Sequence, residues 1–158
     1  MNSRNILIAV VWLALAGVVF HFMQGLTNPN RAETLSSSGD VVLQRDLSGH
    51  YRTEAYINGV KVPVMVDTGA TDVAISQALA DKLGLTSHNA ITTHTANGDT
   101  VSYLVRLQSI RLGGIEAKDV SAGIVPNMEG EALLGMSFLG RMDVRLYKGN
   151  MTIHATEN

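Results

Sequence analysis

From Ile6 to Met23 the chain is apolar, broken only by Gly17 and His21, and shows no polar face. As a helix this run would span about 27 Å at about 1.5 Å per residue, just enough for a hydrocarbon core of about 30 Å. Residues 1–23 therefore read as an N-terminal transmembrane helix. Ala14-Leu15-Ala16 also has the small-residue pattern of a signal-peptidase site. Cutting there would leave Gly17 to Met23 as an apolar new terminus, so an uncleaved anchor is expected. Arg4 before the span and Arg31 after it tip the orientation toward a cytoplasmic N-terminus. In a bacterium this gives a single-pass inner-membrane protein whose remaining part faces the periplasm.

Residues 24–45 show little periodicity and hold Asn28-Pro29-Asn30 and Ser36-Ser37-Ser38-Gly39, which predicts a flexible tether. From residue 46 to 158 the dominant period is two. Tyr51 to Ile57 and Val60 to Val66 flank Asn58-Gly59, a strong hairpin signal. Ala74 to Leu83 has helical spacing, with Ile75, Leu79 and Leu83 on one face and Gly84 as the stop. Ile91 to Thr95 and Thr100 to Leu107 flank a second Asn-Gly pair, Asn97-Gly98. Leu107 to Leu112 and Ala117 to Val125 bracket Gly113-Gly114. Leu133-Leu134 is a short apolar run, Met136 to Arg141 fits one or two helical turns, and two strands close the chain around Lys148-Gly149. Short strands joined by hairpin turns predict a small all-β domain, closed or sandwiched. A weak internal repeat is visible: Ala55 to Val60 resembles Ile110 to Ile115, and Val66-Asp67-Thr68-Gly69 is echoed by Leu133-Leu134-Gly135.

Composition narrows the chemistry. Apolar residues at 46% and charged residues at 16% support a packed core. The formal net charge of -2 points to no nucleic-acid partner. The chain has no cysteine, which removes disulfides, thiolate nucleophiles and thiolate metal sites. His21, His50, His88, His94 and His154 form no ligand pattern, and no Gly-X-Ser-X-Gly elbow or phosphate-binding glycine loop occurs. No metal and no cofactor are expected.

One motif stands out. Val64-Met65-Val66 runs into Asp67-Thr68-Gly69-Ala70. Asp, Thr and Gly all favour turns, so an Asx-type turn at a strand end accounts for such a tripeptide in isolation. Here the apolar run drives the acid toward a buried site, and a buried carboxylate needs partners. Asp72, Asp99, Asp119 and Asp143 lack the Thr-Gly that follows Asp67.

Val66-Asp67-Thr68-Gly69-Ala70 resembles the catalytic motif of retropepsin-like aspartic proteases. Ala132-Leu133-Leu134-Gly135-Met136-Ser137-Phe138-Leu139 is similar to their second signature, two apolar residues and a glycine before a short helix. With the N-terminal anchor, the chain looks like the bacterial membrane-anchored members. It departs from the commonest viral pattern at Thr71, where an acid often follows the alanine. The resemblance implies a small closed β-barrel with one or two short helices. It implies an aspartic endopeptidase with Asp67, Thr68 and Gly69 catalytic, and Leu133, Leu134 and Gly135 as a structural signature passing behind the Asp67 loop. With one such acid per chain, the site needs a homodimer. Ala70 and the hairpin tip Ala96, Asn97 and Gly98, a flap in this fold, would then contact a peptide or protein substrate. A non-catalytic peptide-binding or dimerisation module on the same fold is the alternative.

Overall fold

The computed structural model describes residues 3–27, 39–95, 98–130 and 132–155. The N-terminal run is a helix, α1 (Ser3–Thr27), longer than the apolar stretch itself. Asn5–Met23 within it is exposed throughout and is long and apolar enough to cross a membrane, a test that a signal sequence also passes.

The folded domain begins earlier than residue 46. β1 (Asp40–Gln44) lies inside the segment expected to be tether, and pairs antiparallel with β10 (Asn150–Ala155). Asp40-Val41-Val42-Leu43-Gln44 is a run of three apolar residues behind serines and a glycine, and its burial, not its residue type, alternates. Its inward residues Val41 and Leu43 are fully buried opposite Ile153 and Met151. β10 pairs in turn with β9 (Met142–Tyr147) through the Lys148-Gly149 turn, so β1-β10-β9 form one three-stranded sheet. Residues 28–38 of the expected tether lie outside the described residues.

The remaining strands make the barrel. They are β2 (Tyr51–Ile57), β3 (Val60–Val66), β4 (Val73–Ser76), β5 (Ala90–Thr95), β6 (Gly98–Leu112), β7 (Ile115–Val125) and β8 (Ala132–Leu134). The order is β2-β3-β8-β4-β7-β6-β5, and β2 also pairs with β6. Six strands thus close on themselves, while β5 extends from β6 as a hairpin arm. Closure leaves no edge within the ring. Asn58 and Gly59 both have positive φ, 48° and 82°, as a two-residue hairpin turn with right-handed strand twist requires.

The stretch from Ala74 to Leu83 is not one helix. Val73 and Ile75 alternate inward as β4, wedged between β7 and β8, and only Gln77–Lys82 is helical, as α2. Helical spacing and strand alternation overlap there on Ile75, and tertiary pairing on both sides selects the strand. A second short helix, α3 (Met136–Leu139), follows β8.

The barrel has an internal twofold relation. β2-β3-β4-α2 and β6-β7-β8-α3 repeat the same order. β3 pairs parallel with β8, and β7 pairs parallel with β4; β2 meets β6, and β4 meets β8, antiparallel. The sequence echo of Ala55–Val60 in Ile110–Ile115 belongs to this relation, since Tyr56 lies directly opposite its echo Arg111. The echo of the Asp67 motif in Leu133-Leu134-Gly135 does not: β8 is the counterpart of β4, not of the Asp67 loop.

Candidate active site

β3 delivers Asp67 to the end of the barrel. Val62, Val64 and Val66 alternate into the core, at most 4% exposed. Asp67 is the next residue, so its side chain leaves the apolar face, as strand alternation requires. Its N–H donates to the Leu134 carbonyl at 3.0 Å, extending the β3–β8 pairing by one rung. Its Oδ1 accepts the Gly69 N–H at 2.8 Å, the bond of an Asx-type turn. Gly69 suits this bend, because a Cβ there would sit 3.2 Å from Asp67 Oδ1.

The expected burial of the acid is not what one chain provides. Asp67 and Ala70 are half-buried, and Thr68 and Gly69 are exposed. The front of the loop faces solvent; its back does not. Gly135 passes so close behind it that an added Cβ would lie 2.2 Å from the Asp72 carbonyl oxygen and 2.8 Å from that of Ala70. Glycine is the residue that permits this approach. The first N–H groups of α3 then turn into the loop: Met136 donates to Ala70 O at 2.8 Å, and Ser137 to Thr71 O at 2.9 Å. These donors have no partner within their own helix, so the loop and the helix end satisfy each other.

Ser137 completes the brace, and sequence reasoning gave it no role. Its hydroxyl accepts the Val73 N–H at 2.9 Å and donates to the Ser121 carbonyl at 2.8 Å. One side chain thereby ties β4 to β7 directly behind the Asp67 loop. A serine directly after the glycine and the first helical residue was the available signal. Leu134 is fully buried and Leu133 half-buried, opposite Met65 and Ala74.

Among the described residues the most buried carboxylate lies elsewhere. Asp46 has its side chain 3% exposed beside Arg52, with Nε 3.5 Å from Oδ2. Burial by itself would raise its pKa. Hydrogen bonds from the Ser48 hydroxyl and from the backbone N–H groups of His50 and Ser48, with the Arg52 charge, outweigh that and hold it below the usual aspartate value. Asp46 is an acid fixed in its ionised form by a closed turn. Asp67 is an acid held on a rigid loop with an open front.

Gly98 lies on a separate hairpin, β5–β6, joined to the barrel through β6. It is exposed, with φ 107°. Thr93 and Ser102 hydroxyls bond across this arm, and His94 Nδ1 lies 2.6 Å from Asp99 Oδ1. Ala96 and Asn97, the expected tip, lie outside the described residues. Among the described residues no group of three or more His, Asp or Glu side chains could hold a metal ion.

An Asp-Thr-Gly loop at the end of a small closed barrel, braced by an apolar-apolar-Gly strand end, is the architecture of aspartic proteases of the retroviral kind. Residues 53–141, which contain both Asp67 and Gly135, match the family described as "gag-polyprotein putative aspartyl protease". The crystal structure of a retropepsin-like aspartic protease from Rickettsia conorii matches with a TM-score of 0.61 and 30% identity, over 74% of this chain and 90% of that one. The chain belongs to the retropepsin-like aspartic protease family. Two further relatives are an uncharacterized protein in the cobV 5′ region of a Sinorhizobium species, 33% identical over 150 residues, and an uncharacterized Rickettsia prowazekii protein, 35% identical over 106 residues. The matches cover 85% and 65% of this chain, which spans 64% and 46% of those relatives' own lengths.

Proposed function

We propose that the chain is an aspartic endopeptidase that works as a homodimer, with one active site built from the Asp67-Thr68-Gly69 loops of two copies. The observation that carries this reading is the half-built site: a rigidly braced loop presents one acid on an open face. Two carboxylates brought together across a twofold axis cannot both ionise, so they share one proton. The ionised partner accepts a proton from a water as that water attacks the peptide carbonyl, and the protonated partner donates to the carbonyl oxygen. Collapse of the tetrahedral adduct breaks the C–N bond; the departing nitrogen takes the proton that the first Asp67 accepted from the water, and the second Asp67 recovers its proton from a hydroxyl of the adduct. The titration belongs to the pair of Asp67 groups and not to either one. The β5–β6 arm then acts as a flap, closing on an extended peptide and excluding water. Ala70 and the tip residues Ala96, Asn97 and Gly98 contact the substrate. α1 holds the enzyme in the inner membrane as a single-pass anchor, with the barrel on the periplasmic side.

The test uses the full chain in detergent with a peptide-library substrate. Asp67→Asn protein keeps its fold and its oligomeric state and does not cleave. Mixed 1:1 with wild type under exchanging conditions, random pairing leaves about a quarter of the dimers with both acids. Residual activity near one half would mean that each chain works alone.

A further inference from the structure

β7 is kinked at Asp119. The residue has φ 52°, in the left-handed region that side chains rarely enter and that aspartate tolerates better than most. Leu107 pairs with Val120 and Ser109 with Lys118, and between them the ladder skips Gln108 and Asp119. Backbone in such a conformation persists where its surroundings fix it. Two arginines do so here. Arg141 Nη1 donates to the Lys118 carbonyl at 2.6 Å, and its Nη2 to the Asp119 carbonyl at 2.9 Å. Arg106 Nη1 donates to the same Asp119 carbonyl at 3.2 Å and to Asp119 Oδ2 at 3.0 Å. Consecutive carbonyls of a regular strand point to opposite sides, so one guanidinium can take both only where the pleat breaks. The kink and the clamp require each other.

Each arginine leads to a part of the candidate site. Arg141 follows α3 after Gly140, and its own N–H donates to the Phe138 carbonyl at 3.2 Å. α3 is only four residues long, so its two ends are about one turn apart. Its first N–H groups hold the Ala70 and Thr71 carbonyls of the Asp67 loop. Phe138 and Leu139, both fully buried, set its depth against the core. Its rotation and its position along β7 are set by directional contacts at the two ends, Ser137 to the Ser121 carbonyl and Arg141 to those of Lys118 and Asp119. Arg106 belongs to β6, whose first residues pair with β5 as the hairpin arm. At the Asp119 carbonyl the strand of the arm and the brace of the acid loop are tied together.

We infer that Arg141 is a positioning residue for cleavage, acting through the kink at Asp119: it fixes the short helix that sets where the Asp67 loop meets the loop of the second copy. This rests on the paired-Asp67 reading above and adds a residue that touches neither the substrate nor the acid. Two carboxylates that share a proton tolerate little displacement, and a misplacement of about 1 Å costs about 100-fold in rate. The clamp itself is exposed, and exposed charged contacts add little to overall stability. Its loss therefore shows in turnover before it shows in melting.

The test compares four variants of the full chain in detergent by steady-state cleavage of one peptide. Arg141→Met keeps an apolar stem and removes the clamp. Its kcat falls about 10- to 100-fold while KM stays within about twofold, and sedimentation at the assay concentration still shows the dimer. Arg141→Lys lacks the fork that takes two carbonyls at once and recovers only part of kcat. Asp119→Gly adopts positive φ at no steric cost and stays within about threefold of wild type, whereas Asp119→Val opposes it and falls like Arg141→Met. A merely structural role would not move the pH profile. Displaced carboxylates couple less, so the two limbs of the bell-shaped kcat/KM profile of Arg141→Met close toward each other. Ser76→Ala, destabilised away from the loop, keeps both kcat and the profile. Unchanged kcat in Arg141→Met, an unchanged profile, a loss reversed by raising the concentration of a dissociated variant, or Asp119→Val as active as Asp119→Gly would overturn the positioning role. Asp67→Asn protein that still cleaves would instead remove the paired-Asp67 reading, and this inference with it.

Discussion

β2, β3, β4 and α2 follow one another in the same order and with the same pairings as β6, β7, β8 and α3. The two halves diverge in the loop between their second and third strands and at the start of the helix that follows. In the first half the loop holds Asp67, Thr68 and Gly69. In the second it leaves β7 at Pro126 and runs through Asn127, Met128, Glu129 and Gly130, mostly exposed. The residues that open the helices differ as well. α2 starts at Ser76, whose hydroxyl accepts the Leu79 N–H at 3.2 Å and so caps its own helix. α3 starts at Gly135, which makes no side-chain cap. Its leading N–H groups go instead to the carbonyls of Ala70 and Thr71. One topology thus carries a self-contained half and a half whose helix end is given over to holding the acid loop. A single chain therefore presents one braced acid, and a paired-carboxylate mechanism needs two chains.

The sharpest way to break this comparison is to ask which loop does chemistry. Asp67→Asn should lower cleavage by about 100- to 10,000-fold, the range for losing a general base, with the melting temperature unchanged. Glu129→Gln, in the counterpart loop, should leave kcat/KM as it was. Equal losses from the two changes would dissolve the functional difference between the halves.

Gly135→Ala tests the close approach. The added methyl would sit 2.2 Å from the Asp72 carbonyl oxygen and 2.7 Å from the Asp72 carbonyl carbon. Both are backbone atoms and cannot swing aside. The loop must move, at a cost of about 3 kcal/mol or more, which lowers the melting temperature by about 10 °C or more. Activity should fall further than stability, because the displaced segment carries Asp67.

Much of this was legible from the chain. Asn58-Gly59 and Lys148-Gly149 announce their hairpins because both residues of each pair need positive φ. The Asp67 motif and the Gly135 signature stand out by residue type and order. Other features were not local, and the pattern could not record them. β1 is one of them: three apolar residues beside Ser36-Ser37-Ser38-Gly39 resemble part of a linker until β10 is there to pair with them. At β4 the pattern is ambiguous, because Ile75, Leu79 and Leu83 fit a helical face while Val73 and Ile75 also fit a strand. The closing contact of β2 with β6 joins segments far apart in sequence. Nor does the apolar run before Asp67 fix its burial, since apolar neighbours earlier in a strand do not bury the residue that follows Val66.

Ser137→Ala sharpens the comparison one step further. The change removes one hydroxyl and strands two backbone groups, the Val73 N–H and the Ser121 carbonyl. Leaving partly buried polar groups without partners costs about 1–3 kcal/mol. The barrel should still fold, with a melting temperature lowered by several degrees and a less firmly held Asp67 loop. Ser137→Thr keeps the hydroxyl and should recover most of the stability, which separates the hydrogen bonds from the volume of the side chain.

The smallest effect is expected at Ser76, the counterpart of Gly135. Ser76 is buried, 7% exposed, and its extended backbone, φ -68° and ψ 159°, aims the hydroxyl at the Leu79 N–H. Ser76→Ala removes that cap and should cost about 1 kcal/mol, with Ser76→Gly costing only a few tenths, as at other helix starts. Neither change reaches the Asp67 loop, since α2 gives its leading N–H to its own cap. Cleavage should therefore be unaltered at temperatures below the transition. The contrast with Gly135 is one of direction as well as size: glycine is tolerated at Ser76, whereas any side chain is rejected at Gly135. If Ser76→Gly lowered activity as strongly as Gly135→Ala, the first half would also be bracing the site, and the division of labour between the halves would fail.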